Sequence, residues 1–100
     1  MSERQFQKLV VDVLRSLGWV VWVVPNMKLT TAGLPDLLFW HPSWPGVLHA
    51  WELKTRKGAV TPAQRAALAH LATVSGVDAR IVRPSDWPAL RDGLMAGQRE

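Results

Sequence analysis

Two acids and a lysine stand at a spacing that would let them bind and use a metal ion. Asp36 closes the run Gly33, Leu34, Pro35, Asp36, and sixteen residues later come Glu52, Leu53 and Lys54. Side chains of a strand alternate with a period of two, so Glu52 and Lys54 project from one face while Leu53 enters the opposite packing layer. If the segments holding Asp36 and Glu52 pair as a hairpin, both carboxylates and the ammonium converge at one sheet edge. That set suits a hard divalent cation. Mg²⁺ takes oxygen ligands, keeps several waters, and uses one or two carboxylates plus substrate phosphate. The Leu53 backbone carbonyl offers a further protein oxygen. Lys54 would then orient or help deprotonate an attacking water, or neutralise charge on a phosphate. An ordinary cross-strand salt bridge is the competing reading of Glu52 and Lys54, yet both sit in an apolar segment where a charge is costly to bury.

The elements that must position these residues are legible along the chain. Phe6, Leu9, Val10, Val13, Leu14 and Leu17 recur at helical spacing and leave Arg4, Lys8, Asp12 and Arg15 outward. Ser2 with Gln5 reads as a capping box, and Gly18 sits where a C-terminal cap belongs. Residues 19–24 are an unbroken β-branched and aromatic run, expected to be a strand buried on both faces. A loop spans residues 27–33. Residues 36–40 and 47–54 are two strands of a hairpin around the Pro- and Gly-rich turn at 41–46. Thr61, Pro62 and Gln64 open a capped helix that should run to about residues 75–76, with Ala67, Leu68, Leu71 and Val74 inward. Residues 77–83 form a fourth strand, and a last short helix runs from Ser85 to about Ala96. The fold class is α/β, a mixed sheet flanked by helices in the order α-β-β-β-α-β-α.

Composition narrows the class. One hundred residues make one domain, 1–100, and 48% hydrophobic content with six Trp is enough for a thin core. A homodimer is a natural way to gain more burial. Absence of cysteine excludes disulfides, Cys-ligated zinc, iron–sulfur clusters and thiol catalysis, and suits a reducing cytosol. No apolar run approaches a membrane span and the first eight residues are polar, so a cytoplasmic, non-membrane protein is expected. A net charge of +4 points weakly toward polyanions.

Taken together, the run from Gly33 to Asp36, then Glu52, Leu53 and Lys54, resembles the signature of the PD-(D/E)xK nuclease superfamily. The finer pattern is similar to that of the virus-type replication-repair nuclease (VRR-NUC) domain. There an acidic helix leads to a strand, then G-x-PD, then an apolar residue with E-x-K, a glycine, and a helix opening with S/T-x-x-Q. Here the matching positions are Glu3, Gly33 to Asp36, Trp51 to Lys54, Gly58, and Thr61 to Gln64. The resemblance covers nearly the whole chain. It implies a restriction-endonuclease-like fold with Asp36 and Glu52 as metal ligands and Lys54 as the catalytic lysine. Gln64 would be a site-adjacent residue and Glu3 an accessory acid. Glu3 is also a first-turn acid favoured by the helix dipole, and Gln64 closes a capping box whatever else it does. Stand-alone members of this size are phage-like, placing the chain in a bacterial or phage-infected cell. They are associated with Mg²⁺-dependent cleavage of branched DNA, including Holliday junctions, by homodimers, with Mn²⁺ as the expected substitute.

On that reading the basic residues are free to meet DNA. Lys54, Arg56, Lys57 and Arg65 are expected to cluster around the turn after the catalytic strand, with Lys28 in the loop before Gly33. Asn26, Thr30 and Thr31 would add neutral phosphate contacts. His41, His49 and His70 show no metal spacing, with His49 on the face opposite Glu52. Trp40, Trp44 and Trp51 are read as core or dimer contacts in preference to base-stacking platforms. No phosphate-loop or dinucleotide fingerprint occurs. Two other classes compete: a catalytically inactive DNA-binding module of the same fold, and a protein-interaction domain that docks through exposed tryptophans.

Overall fold

The computed structural model describes residues 1–25 and 32–97. Its first helix, α1 (Glu3–Ser16), starts at the expected capping box: the Ser2 side chain accepts from the Gln5 N–H, and the Gln5 side chain accepts from the Ser2 N–H. Phe6, Val10, Val11 and Leu14 form its buried stripe. Gly18, just beyond Leu17, takes a φ of 89° and turns the chain into the sheet.

Strands β1 (Val20–Val23), β2 (Leu37–Trp40) and β3 (Leu48–Leu53) follow, then α2 (Pro62–Leu71), β4 (Val77–Val82) and α3 (Trp87–Gly97). The order is the α-β-β-β-α-β-α read from the sequence. All four strands join one sheet in the order β1-β2-β3-β4. The first two pairings are antiparallel, including the expected β2–β3 hairpin, whereas β3 and β4 run parallel. A parallel pair needs a crossover, and α2 provides it. Among the described residues no helix is long and apolar enough to cross a membrane.

Register decides what each face carries. Leu37 lies opposite Trp51, Phe39 opposite His49, and Leu53 opposite Val82. With the strand period of two, these residues and Val21 share the face covered by α1 and α3, where Phe6, Val10, Leu14, Trp87 and Leu94 complete the core. Glu52 falls on the other face, where α2 packs over β3 and β4.

Two expectations are corrected. β1 is an edge strand, and only Val21 within it is buried; Trp22 is 60% exposed and rests edge-to-face on Trp40, with ring centroids 5.0 Å apart. An apolar run reports strand propensity, whereas burial on both faces depends on what the helices cover, and α2 lies over the far half of the sheet. The second helix also ends earlier than predicted. Thr73 and Val74 N–H groups donate to the His70 and Leu71 carbonyls, a three-residue spacing that tightens the chain and turns Val74 outward to 52% exposure. Leu68 is the one buried residue of α2, and Ala67 and Leu71 are half-buried.

His49 is a buried titratable ring on the α1 side of the sheet. His49 stacks on Phe39 at 4.7 Å and meets the edges of Trp19 and Trp51, while its Nδ1 lies 3.0 Å from Asp78 Oδ2. Burial lowers its pKa from 6.5, and the Asp78 carboxylate opposes this only in part. The ring is therefore neutral at pH 7 and donates its Nδ1–H to Asp78. Below 6.5 the unfolded chain takes up a proton that folded His49 resists, so stability should fall as pH drops from there toward the folded value. Thermal unfolding followed against pH should show this decline, and His49→Phe should lessen it. An acid slope unchanged in the variant would refute the assignment.

Candidate functional site

Asp36 immediately precedes β2 and Glu52 is the next-to-last residue of β3, so antiparallel pairing brings them to the same end of the hairpin. Asp36 is held from two sides. Its backbone carbonyl accepts from the Val24 N–H at 2.8 Å, and its Oδ2 accepts from the Leu53 N–H at 2.7 Å. The last β2–β3 pair joins Leu37 to Trp51, which leaves the Leu53 peptide beyond the ladder. Because the N–H and C=O of one strand residue face the same side, the Leu53 carbonyl is turned toward Asp36 as well.

Glu3 arrives from the first turn of α1, which packs across β1 and β3. One carboxylate oxygen from each of Glu3, Asp36 and Glu52 lies within 4.8 Å of the others. Glu52 is 2% exposed and Lys54 8%, on the same face of the sheet. Lys54 Nζ stands 4.0 Å from Glu52 Oε2, and its backbone N–H is locked to the Val82 carbonyl at 3.0 Å.

Gln64 serves two purposes. Its Oε1 accepts from the Thr61 N–H and its N–H donates to Thr61 Oγ1, closing the capping box, while its Nε2 donates to Glu52 Oε2 at 3.3 Å. Gly33 makes this approach possible. Its φ is 85°, and a Cβ there would lie 2.3 Å from the Ala63 carbonyl oxygen and 2.7 Å from the Gln64 nitrogen. Glycine thus lets the loop ahead of Asp36 press onto the start of α2.

Arg56 and Lys57 are exposed on the turn after β3, and neither forms an ion pair among the described residues. Arg65, also exposed, follows Gln64 on α2. It lines a groove over β4 with Leu68, Arg80 and Ile81, because one step along a helix rotates it by about 100° from Gln64. Lys28, Asn26, Thr30 and Thr31 lie outside the described residues. His41 packs on Trp19, Trp51 is buried in the core, and Trp44 packs at its margin. Arg83 is the neighbour that sequence reading missed. Its side chain donates to the Thr55 and Gly58 carbonyls, which are 28 and 25 residues away and leave no local signal.

The electrostatics of the cluster are only partly compensated. Burial pushes the Glu52 carboxyl up from 4.5 to about 8, with Asp36 and then Glu3 adding in the same direction and Lys54 opposing. Glu52 Oε1 is buried with no hydrogen-bond partner among the described residues. A carboxylate so placed requires either a proton or a cation. Oxygens bound about 2.1 Å from one Mg²⁺ stand up to roughly 4.2 Å apart, so small side-chain adjustments would let the three acids share an ion. The donor set, all oxygen with one orphaned atom, fits a hard divalent cation.

Between 4.5 and about 8 the folded chain keeps a proton that the unfolded chain has lost. Stability without metal should therefore fall as pH rises through that window, in contrast to the slope from His49. Glu52→Gln should remove the decline and raise the metal-free unfolding midpoint at pH 8. Added Mg²⁺ should stabilise the native protein and not the variant, as read by thermal unfolding. Equal shifts in both proteins would exclude Glu52 as a ligand.

Compared with family models, with curated proteins and with solved structures, the chain finds no significant match in any of the three.

Proposed function

We propose that the chain is a metal-dependent endodeoxyribonuclease of the PD-(D/E)xK kind, resembling the VRR-NUC domain, with a restriction-endonuclease-like sheet. Its substrate is branched DNA, a four-way junction being the specific choice, and it works as a homodimer whose two sites cut opposing strands. The observation that carries this reading is the convergence of Glu3, Asp36 and Glu52 around a buried Glu52 oxygen that has no hydrogen-bond partner among the described residues. The mixed sheet, the hairpin between the two acids and the contact from Gln64 to Glu52 support it further.

Asp36, Glu52 and Glu3 would hold Mg²⁺ or Mn²⁺, with the Leu53 carbonyl turned to the same side. The cation, when bound, supplies Lewis-acid activation of the scissile phosphate and acidifies a water. The chain's own residues do the rest. Gln64 orients the Glu52 carboxylate by its hydrogen bond. Lys54, whose stem is buried and whose backbone is tied to β4, presents an ammonium beside the acids, where it orients the nucleophile or meets the charge that develops on the phosphate. Arg56 and Lys57, exposed and unpaired, bind flanking phosphates and so fix the register of the DNA.

Incubation of the protein with a four-way junction and with linear duplex, with and without Mg²⁺, tests this directly. Cutting should need the metal and favour the junction. Asp36→Asn and Lys54→Ala should each lower the cutting rate by about a hundredfold or more while DNA is still bound. Cutting at the native rate by either variant, or in EDTA, would overturn the proposal. Binding without any cutting by the native protein would favour an inactive DNA-binding module.

A further inference from the structure

The turn after β3 is fastened from a distant part of the chain. Arg83, the residue after β4, donates from Nη1 to the Thr55 carbonyl at 2.7 Å and to the Gly58 carbonyl at 2.8 Å. The Gly58 N–H closes the same turn on the Thr55 carbonyl at 3.2 Å. The base of the strap is itself fixed, since the Arg83 N–H donates to Asp86 Oδ2 and the Asp86 N–H returns a bond to the Arg83 carbonyl. Among the described residues Arg83 has no carboxylate against its guanidinium, so its charge is spent on two backbone oxygens.

Gly58 is folded back against the catalytic strand: a Cβ there would stand 2.9 Å from Thr55 Oγ1 and 3.5 Å from Lys54 Cδ. Between the two pinned carbonyls lie Arg56 and Lys57, both exposed. A long exposed cation loses rotamer freedom when it grips a phosphate, and a mobile backbone beneath it adds to that loss. Tying both ends of a four-residue turn removes the backbone part beforehand.

We propose that Arg83 is a positioning residue that holds the Thr55–Gly58 turn so that Arg56 and Lys57 form a preordered grip on the phosphate backbone beside the three acids. This rests on the reading of the chain as a DNA nuclease. It assigns Arg83 no contact with the reacting atoms.

A double-mutant cycle tests it. Affinity for a labelled four-way junction is measured by anisotropy in EDTA for the native protein, for Arg83→Ala, for Arg56→Ala with Lys57→Ala, and for all three changes together. Arg83→Ala should weaken binding about five- to tenfold and flatten the salt dependence by about one to two phosphate contacts. In the background lacking Arg56 and Lys57 it should cost less than about twofold. A purely structural role, or a direct phosphate contact by Arg83 itself, would not be cancelled by removing those two cations. Arg83→Lys keeps the charge without the planar fork and covers the case in which Arg83→Ala does not fold; it should lose affinity in the same coupled way. Native protein that binds no DNA would overturn the nuclease reading and the grip with it. Native protein that binds, with Arg83 variants that bind equally well or whose losses add fully to those of Arg56 and Lys57, would overturn the grip alone.

Discussion

Glu52 buries a carboxyl group that the described residues satisfy only in part. Lys54 Nζ stands 4.0 Å away, Gln64 supplies one hydrogen bond to Oε2, and Oε1 has none. Two further acids sharpen the conflict, since one oxygen of each lies within 4.8 Å of the others. A carboxyl group at 2% exposure beside two other acids, one half-buried and one exposed, is tolerated only where the surroundings over-determine it. The surroundings do so here by backbone contacts. The Leu53 N–H holds Asp36, the Lys54 N–H holds Val82, and the Asp36 carbonyl holds Val24.

The cluster draws on both layers of the molecule. Glu3 comes from α1, which covers one face of the sheet, and Gln64 from α2, which covers the other. Asp36 and Glu52 come from the strands between them. The acids therefore meet only at the end of the sheet, where helices from opposite faces reach past the strand ends. Such a site exists only when the whole domain is folded. A rigid platform stands behind it: Phe39, His49, Trp51 and Trp87 interlock by stacked and edge-on contacts across the middle of the sheet. Aromatic packing of this kind brings a large apolar area into the core of a short chain.

Where sequence reading went astray, the cause was tertiary covering. The Val-Trp run at β1 has the composition of a central strand, yet β1 lies at the sheet edge with Trp22 at 60% exposure. Its free edge is partly blunted by Arg15, whose Nη2 donates to the Val21 carbonyl at 3.0 Å. Val74 fits the helical period of α2 but follows the point at which the helix tightens and ends.

The strand alternation of Glu52, Leu53 and Lys54, the capping boxes at Ser2 and Thr61 and the order of the elements are all local properties. Periodicity and cap chemistry act over a few residues, so they are legible in the chain alone. The distance between the acids, the parallel run of β4 beside β3, the orphaned Glu52 oxygen and the reach of Arg83 across 28 residues to Thr55 were decided by the tertiary structure. Each depends on which helix covers which face and on how far one strand slides along another, and those choices are made by the core as a whole.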